Sequence, residues 1–446
     1  MRKAAADPIA AAATPPGAGG IGIVRVSGGD VAAVARGILS SGELPPPRHA
    51  KREKFVAADG AILDDGVCLY FRAPHSFTGQ DVLELHGHGG GAVLRGVLER
   101  CFQLGARAAE AGEFTMRAYC NGKMDLAQAE AVADLINAGS ASAARAAANS
   151  LDGAFSRRAQ TLAAELTKLR AELEAALDFA DEDTGAPADF SARIGVLSRE
   201  TEKFLAQCRQ GAKLAEGITV AIVGAPNTGK SSLLNTLCGE DAAIVAAAAG
   251  TTRDLIVRDI AFGGVPARLL DTAGLRETAG EIEQEGIARA VRAAQNADLV
   301  LAVRDGEDAP QIDTSSAVLH IRNKIDLHNI APGVRDGFVY VSAKTGAGID
   351  DLRIAITAAA GGGADFGGGV SGADGGIIPS FTARARHLAA LDESLRCFAE
   401  AQNAGMHAEI AAAWLSSAHG HIASLTGGTD DEKLLGEIFS RFCIGK

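Results

Sequence analysis

Ile218-Thr219-Val220-Ala221-Ile222-Val223 runs directly into Gly224-Ala225-Pro226-Asn227-Thr228-Gly229-Lys230-Ser231, and Ser232-Leu233-Leu234-Asn235-Thr236-Leu237 follows. The first run is nearly all apolar, as in a strand buried on both faces of a parallel sheet. The eight residues after it satisfy G-x-x-x-x-G-K-[ST], and the next stretch has helical texture. The chemistry needs that order. Glycines let successive backbone N–H groups curl around phosphate oxygens, and the helix that follows adds the positive end of its dipole. Lys230 brings charge to the β- and γ-phosphates, and Ser231 brings a hydroxyl for Mg²⁺. The stretch predicts a P-loop on an α/β domain.

Three further motifs extend the pocket. Asp271-Thr272-Ala273-Gly274 follows the strand-like Ala267–Leu270. Asp271 can hold Mg²⁺ through water, and the Gly274 N–H can reach a γ-phosphate. Asn323-Lys324-Ile325-Asp326 follows Ala317–Ile321, and Ser342-Ala343-Lys344 follows Phe338–Val341. Asp326 can accept from both N1–H and the exocyclic amine of guanine. Adenine has no such donor pair, so it would leave the carboxylate unpaired. In this order the motifs resemble those of Ras-like GTPases. Ser232, the switch-like Ala246-Ala247-Ala248-Ala249-Gly250-Thr251-Thr252 and Thr272-Ala273 complete the expected GTP contacts.

The remainder of the 446 residues predicts several domains. Residues 1–122 mix short β-like runs (Ile21–Val26, Val67–Phe71) with glycine turns, an α+β texture. From 123 to 213 the chain is rich in Ala, Leu, Glu and Arg. Leu126, Ala129, Val132 and Leu135, then Leu162, Leu166, Leu169 and Leu173, recur at helical spacing. Strands and helices alternate over 214–360. Residues 361–376 hold nine glycines in 16 positions, a flexible linker. Helical texture returns over 377–446. The arrangement predicts a helical domain interrupted by an inserted G domain, with no internal repeat.

No apolar run approaches the roughly 20 residues that cross a bilayer, and the start does not read as a secretory signal, so cytoplasm is expected. The seven cysteines form no C-x-x-C pair, which disfavours a zinc ribbon or a disulfide framework. His86-x-His88 without a third ligand predicts no zinc. A net charge of −12 argues against a protein that coats nucleic acid by charge alone.

The flanks carry a resemblance. Residues 13–28 (ATPPGAGGIGIVRVSG), 76–90 (SFTGQDVLELHGHGG), Gly112-Glu113-Phe114 through Glu130, and Phe442-Cys443-Ile444-Gly445-Lys446 are similar to the MnmE (TrmE) family of tRNA-modifying GTPases. The resemblance implies an N-terminal tetrahydrofolate-binding and dimerisation domain, a discontinuous helical domain and a potassium-activated G domain. It implies a homodimer that joins the FAD-dependent MnmG (GidA) in a heterotetramer. That assembly modifies C5 of the wobble uridine (U34) of tRNA. Methylene-tetrahydrofolate is the one-carbon donor. Folate, as the 5,10-methylene or 5-formyl form, falls to Arg25, Glu84, Lys123 and Lys446. K⁺ falls to the Asn227 side chain, carbonyls at Ala246 and Ala248, and Thr251. Mg²⁺ falls to Ser231 and Thr252. Leu275 stands where many Ras-like proteins keep a water-orienting Gln, so catalysis is expected from Lys230, Asn227 with its K⁺, and Glu283 acting on the water. The family pattern before Gly250 opens with Thr-Asp, where this chain has alanines. Cys443 reads either as a reactive thiol or as a small residue packing the tail. The rival readings are a ribosome-assembly RNA-binding GTPase of the Era/Der type and a stand-alone folate aminomethyltransferase.

Overall fold

The computed structural model describes residues 7–178, 189–239, 256–271, 295–306, 314, 316–361, 370–371, 377–378, 380–404, 407–427, 432–440 and 442–445. The chain divides into two compact units, 1–133 with 426–446, and 134–425. The expected mixture of an α+β part, helices and an α/β part is what the two units contain.

The first unit is built on a six-stranded sheet. Its strands are β1 (Ile9–Ala12), β2 (Gly19–Gly28), β3 (Lys51–Val56), β4 (Ile62–Phe71), β5 (Asp81–Gly89) and β6 (Arg107–Ala108), in the order β3-β4-β5-β2-β1-β6. All neighbours are antiparallel except β1 and β6. Alternation sends Val24, Val26, Leu83 and Leu85 to one face, where they pack with α1 (Val31–Ile38) and α2 (Gly91–Gln103). Asp30 caps α1 by accepting the Ala33 N–H at 3.2 Å. On the other face Ile9 and Ala11 meet Phe114 of α3 (Glu113–Cys120).

Buried charge fastens α3. Glu113, 3% exposed, accepts from Arg107 Nη1 at 2.8 Å and from Arg117 Nη2 at 2.8 Å. Arg117 also donates to the Asp7 carbonyl and to Gln80. The C-terminus returns to this unit. Ile444 bridges Ala111, and a Cβ at Gly112 would fall 2.7 Å from the Phe439 carbonyl. Gly112 is left-handed (φ 67°), so glycine is required there twice over.

Helix α4 (Leu126–Ile136) carries the chain into the second unit. Leu126, Ala129 and Val132 are buried on it, but Leu135 is 37% exposed, against the periodicity expectation. Nine residues at about 100° each bring Leu135 to the opposite side from Leu126. Then follow α5 (Ala141–Leu151), α6 (Ala154–Asp178) and α7 (Phe190–Glu216). Leu162, Leu166, Leu169 and Leu173 are all buried on α6, as expected. Phe155 lies 5.3 Å from Phe204, and the two meet the Phe381 ring edge-on at 5.5 and 5.7 Å. Helices on both sides of the strand region therefore share one aromatic core.

The second sheet has seven strands: β7 (Ile218–Gly224), β8 (Ile256–Phe262), β9 (Val265–Asp271), β10 (Leu299–Arg304), β11 (Ala317–Arg322), β12 (Gly333–Arg335) and β13 (Phe338–Tyr340). Their order is β12-β13-β11-β10-β7-β9-β8. The five inner strands are parallel, and the edges β8 and β12 are antiparallel. Helices α8 (Lys230–Cys238) and α10 (Ile349–Gly361) cover one face, and the short α9 (Ile325–His328) lies between β11 and β12. The turn of the β8–β9 hairpin sits on α5. Ser140 caps α5 through the Ala143 N–H and also donates to the Gly264 carbonyl at 2.5 Å. A Cβ at Gly264 would lie 2.3 Å from Ser142 Oγ.

The glycine-rich stretch is not devoid of regular structure. β14 (Val370–Ser371) pairs antiparallel with β15 (Ile377–Ile378), because backbone pairing needs no buried side chain. The last helices are α11 (Ala385–Asn403), α12 (Ala408–Ser424) and α13 (Glu432–Ser440). Among the described residues no helix is long and apolar enough to cross a membrane.

Glu113 makes the first unit acid-sensitive. Burial pushes its pKa up, but bonds from Arg107, the Glu110 N–H and Arg117 outweigh it and hold the pKa at about 2. A depressed carboxyl pKa stabilises the fold above its unfolded value near 4.5 and loses that contribution as pH falls toward 2. Glu113→Gln should therefore cost roughly 3 kcal/mol near neutral pH, with the deficit shrinking as pH drops from about 4.5 toward 2. Urea unfolding followed across that range checks this. A deficit that does not change with pH would remove the charge from the account.

Candidate functional site

Parallel strands deliver their carboxyl ends, and the loops after them, to one edge of a sheet. Here β7 ends in the P-loop, β9 ends at Asp271, β11 runs into Asn323-Lys324-Ile325-Asp326, and β13 leads to Ser342-Ala343-Lys344. Asp271 stands in register with Ile222 of β7, two residues before Gly224.

The P-loop is shaped by close approaches. A Cβ at Gly224 would lie 2.2 Å from the Val303 carbonyl of β10, so only glycine lets β7 end there. Asn227 and Gly229 are left-handed, with φ 63° and 89°. Thr228 Oγ1 closes the turn on the Ala225 carbonyl at 2.9 Å. Lys230 is buried, and its Nζ donates to the Gly224 and Ala225 carbonyls at 2.9 and 2.8 Å. Ser231 and Ser232 are exposed in the first turn of α8.

Asn323 ties three motifs together. It is 2% exposed, its Nδ2 donates to the Thr228 carbonyl at 2.9 Å, and its Oδ1 accepts the Ala343 N–H at 3.0 Å. A Cβ at Gly229 would strike that Nδ2 at 2.3 Å. The exposed Asp326 is oriented by Ser342, whose fully buried hydroxyl donates to Oδ1 at 2.6 Å and accepts the Thr345 N–H. Lys324, also left-handed, pairs with Asp305 at 2.6 Å, and that hydrogen bond holds the Asp305 carboxyl below its usual range. Asp305 was not anticipated. Its signal was an acidic residue directly after the strand Leu299–Arg304.

Ala246, Ala247, Ala248, Ala249, Gly250, Thr251, Thr252, Thr272, Ala273, Gly274, Glu283 and Lys446, with the side chain of Asp271, lie outside the described residues.

In the first unit Arg25 and Glu84 are register partners across β2 and β5, and their side chains form an ion pair at 2.9 Å. The guanidinium stands 5.9 Å from the Phe77 ring centroid and 5.8 Å from that of Phe114. His86 Nε2 contacts the other Glu84 oxygen at 3.1 Å. The bonds from His86 and Arg25 hold the Glu84 pKa below its usual value despite burial. Ser27 and Asn121 pin the neighbouring loop through Thr78 at 2.7 Å each. Lys123 is exposed, with its Nζ on the Pro74 carbonyl at 3.1 Å. The sequence pointed to Arg25 and Glu84 as separate contacts. It did not reveal that they neutralise each other, or that His86, Phe77 and Phe114 surround them. His88 instead takes Asp64 at 2.7 Å. Cys443 is exposed in the returning tail.

The chain is similar to known proteins over nearly its whole length. The model of the GTP-binding protein TrmE N-terminus matches residues 8–123, and that of the MnmE helical domain matches 126–443. The tRNA modification GTPase MnmE of Thiobacillus denitrificans is 48% identical over 450 residues, covering 99% of this chain and 98% of the relative. Those of Laribacter hongkongensis and Nitrosomonas europaea are 47% and 46% identical, each covering 99% of both chains. The second match encloses the guanine-nucleotide motifs, the two matches together span nearly the whole chain, and the chain belongs to the MnmE family of tRNA modification GTPases.

Proposed function

We propose that this chain is the GTP-hydrolysing component of the system that installs an aminomethyl or carboxymethylaminomethyl group on C5 of the wobble uridine of tRNA. The observation that carries the GTPase part is the Asn323 amide joining the P-loop to the base-reading motifs, with Asp326 held by Ser342 to accept guanine's paired donors. The chain works as a cytoplasmic homodimer with the FAD-dependent MnmG. Its segments are 1–122, 123–213, 214–360, 361–376 and 377–446.

Backbone N–H groups of the P-loop and Lys230 neutralise phosphate charge, and they do so most where it builds up during cleavage. Exposed hydroxyl and amide oxygens suit hard cations. Ser231 and Thr252 would hold Mg²⁺. Asn227, Thr251 and the carbonyls of Ala246 and Ala248 would hold K⁺. The ions supply positive charge to the triphosphate. Glu283 orients the water. In the first unit the Arg25–Glu84 pair, with Lys123 and Lys446, binds a tetrahydrofolate derivative, and the flat pterin suits the Phe77 and Phe114 rings beside Arg25.

Reconstitution tests the whole reading. The purified chain, its FAD-dependent partner, GTP, unmodified tRNA, methylene-tetrahydrofolate and ammonium or glycine as the nitrogen source should yield the modified wobble nucleoside by mass spectrometry. Product formed equally without folate would end the folate assignment, and wobble uridines unchanged in a deletion strain would end the tRNA assignment. Asp326→Asn should weaken GTP binding by about tenfold or more while admitting xanthosine nucleotides; undiminished guanine preference would take Asp326 out of the base pocket. Replacing KCl by NaCl should slow hydrolysis by about an order of magnitude, and equal rates would remove K⁺ from the site.

A further inference from the structure

Two tight turns face each other beside β4 of the first sheet. In one, the His49 N–H returns to the Pro46 carbonyl at 3.1 Å, and in the other the His75 N–H returns to the Arg72 carbonyl at 2.9 Å. The Arg48 N–H on the Tyr70 carbonyl at 2.8 Å seats the first turn on β4. Arg48 Nη2 donates to the His75 carbonyl at 3.2 Å and so joins the two turns. Between them lies an open cleft of about 450 Å³, lined by Pro47, Arg48, Arg72, Ala73 and His75. Arg48 is held in the left-handed region (φ 63°), which a residue with a Cβ enters only at a cost.

The charge in this cleft is not balanced locally. On β3 the cations are paired, Lys51 with Glu53 and Arg52 with Asp65. Arg48, Arg72 and His75 are exposed, and among the described residues none of them forms an ion pair. The nearby Asp81 carboxylate is engaged by the Ala73 N–H at 2.8 Å and by the Tyr70 hydroxyl. Arg48 gives one N–H of its fork to a carbonyl, which fixes the fork without neutralising it. Among the described residues the Arg72 side chain makes no hydrogen bond.

The cleft adjoins Lys123, one of the residues assigned to folate above. Lys123 Nζ sits on the Pro74 carbonyl at 3.1 Å, and Arg48 Nη2 sits on the next carbonyl, that of His75. Two cations from separate segments thus grip neighbouring peptides of one loop. Phe77, beside Arg25, belongs to the same loop. An anion with several carboxylates in a row fits this line of cations. Folates are extended by γ-linked glutamates, each adding one α-carboxylate, and a guanidinium binds a carboxylate through two parallel N–H bonds. A tail that continues past Lys123 along this loop meets the cations of the cleft next. RNA phosphates would use the charge, but no Phe, Tyr or Trp lines the cleft for an unpaired base to stack on.

We propose that the cleft of Arg48, Arg72 and His75 binds the poly-γ-glutamate tail of the folate donor. The inference rests on the folate reading above and names the form of that cofactor which the chain selects.

Calorimetric titration of the full chain with 5-formyl-tetrahydrofolate carrying one or five glutamates tests it. The pentaglutamate should bind about fivefold more tightly at low salt, and the gain should fade as salt is raised past ~0.3 M. Arg72→Gln should remove most of that gain, and the double variant Arg48→Gln with Arg72→Gln should remove the rest. Arg72→Glu should reverse it, so that the pentaglutamate binds less tightly than the monoglutamate. Unchanged monoglutamate affinity and GTP binding report that the variants are folded and that the Arg25–Glu84 site is intact. Equal affinity of the two folates for the wild-type chain overturns the tail site and leaves the folate reading standing. So does a gain that survives in Arg72→Glu and in the double variant. Variants that keep the gain but lose affinity for unmodified tRNA overturn it too, and give the cleft to RNA phosphates instead. A wild-type chain that binds neither folate ends the folate reading, and the tail site with it.

Discussion

The side-chain amide of Asn323 is the joint on which the nucleotide site depends. Buried at 2% exposure, it donates to the P-loop at Thr228 and accepts from Ala343 in the loop after β13. Two of its polar atoms meet two backbone groups that come from segments about a hundred residues apart. A buried amide of this kind is costly to leave unpaired, so the three loops are held in one arrangement. Gly229 completes the joint, since any side chain there would occupy the space of the amide.

The same economy of space links the G-domain sheet to the helices beside it. The chain leaves α7 through Gly217, left-handed at φ 72°, where a Cβ would lie 2.9 Å from the Pro266 carbonyl. The β8–β9 hairpin is seated by its turn on Ser140 and Ser142 of the α5 start, while β9 ends at Asp271. One paired ribbon of backbone thus spans from the α5 cap to the second phosphate motif.

Much of this was legible beforehand, and the reasons differ by element. The P-loop, its strand and its helix are read from adjacent residues, because the phosphate-binding conformation is local. The α6 leucines follow the 3.6-residue period and are all buried. Leu135 does not, because a three-residue spacing drifts around the helix. Residues 361–376 read as linker on composition, and composition cannot anticipate a backbone pairing such as Val370–Ser371 with Ile377–Ile378.

By itself the sequence determined which chemistry is available: a phosphate-binding turn, a carboxylate suited to guanine, and the residue types that mark the family at both ends of the chain. Those depend on side-chain identity and on neighbours within a few positions. Only the tertiary structure decided that Arg25 and Glu84 neutralise each other, that Asn323 rather than a catalytic residue joins the motifs, and that Arg304 and Arg335 stand 3.7 and 3.9 Å from the ring centroids of Phe338 and Tyr340. Each of these is a meeting between segments brought together by strand register and burial. No local pattern encodes which strand lies beside which, so such meetings become visible only when the chain has folded.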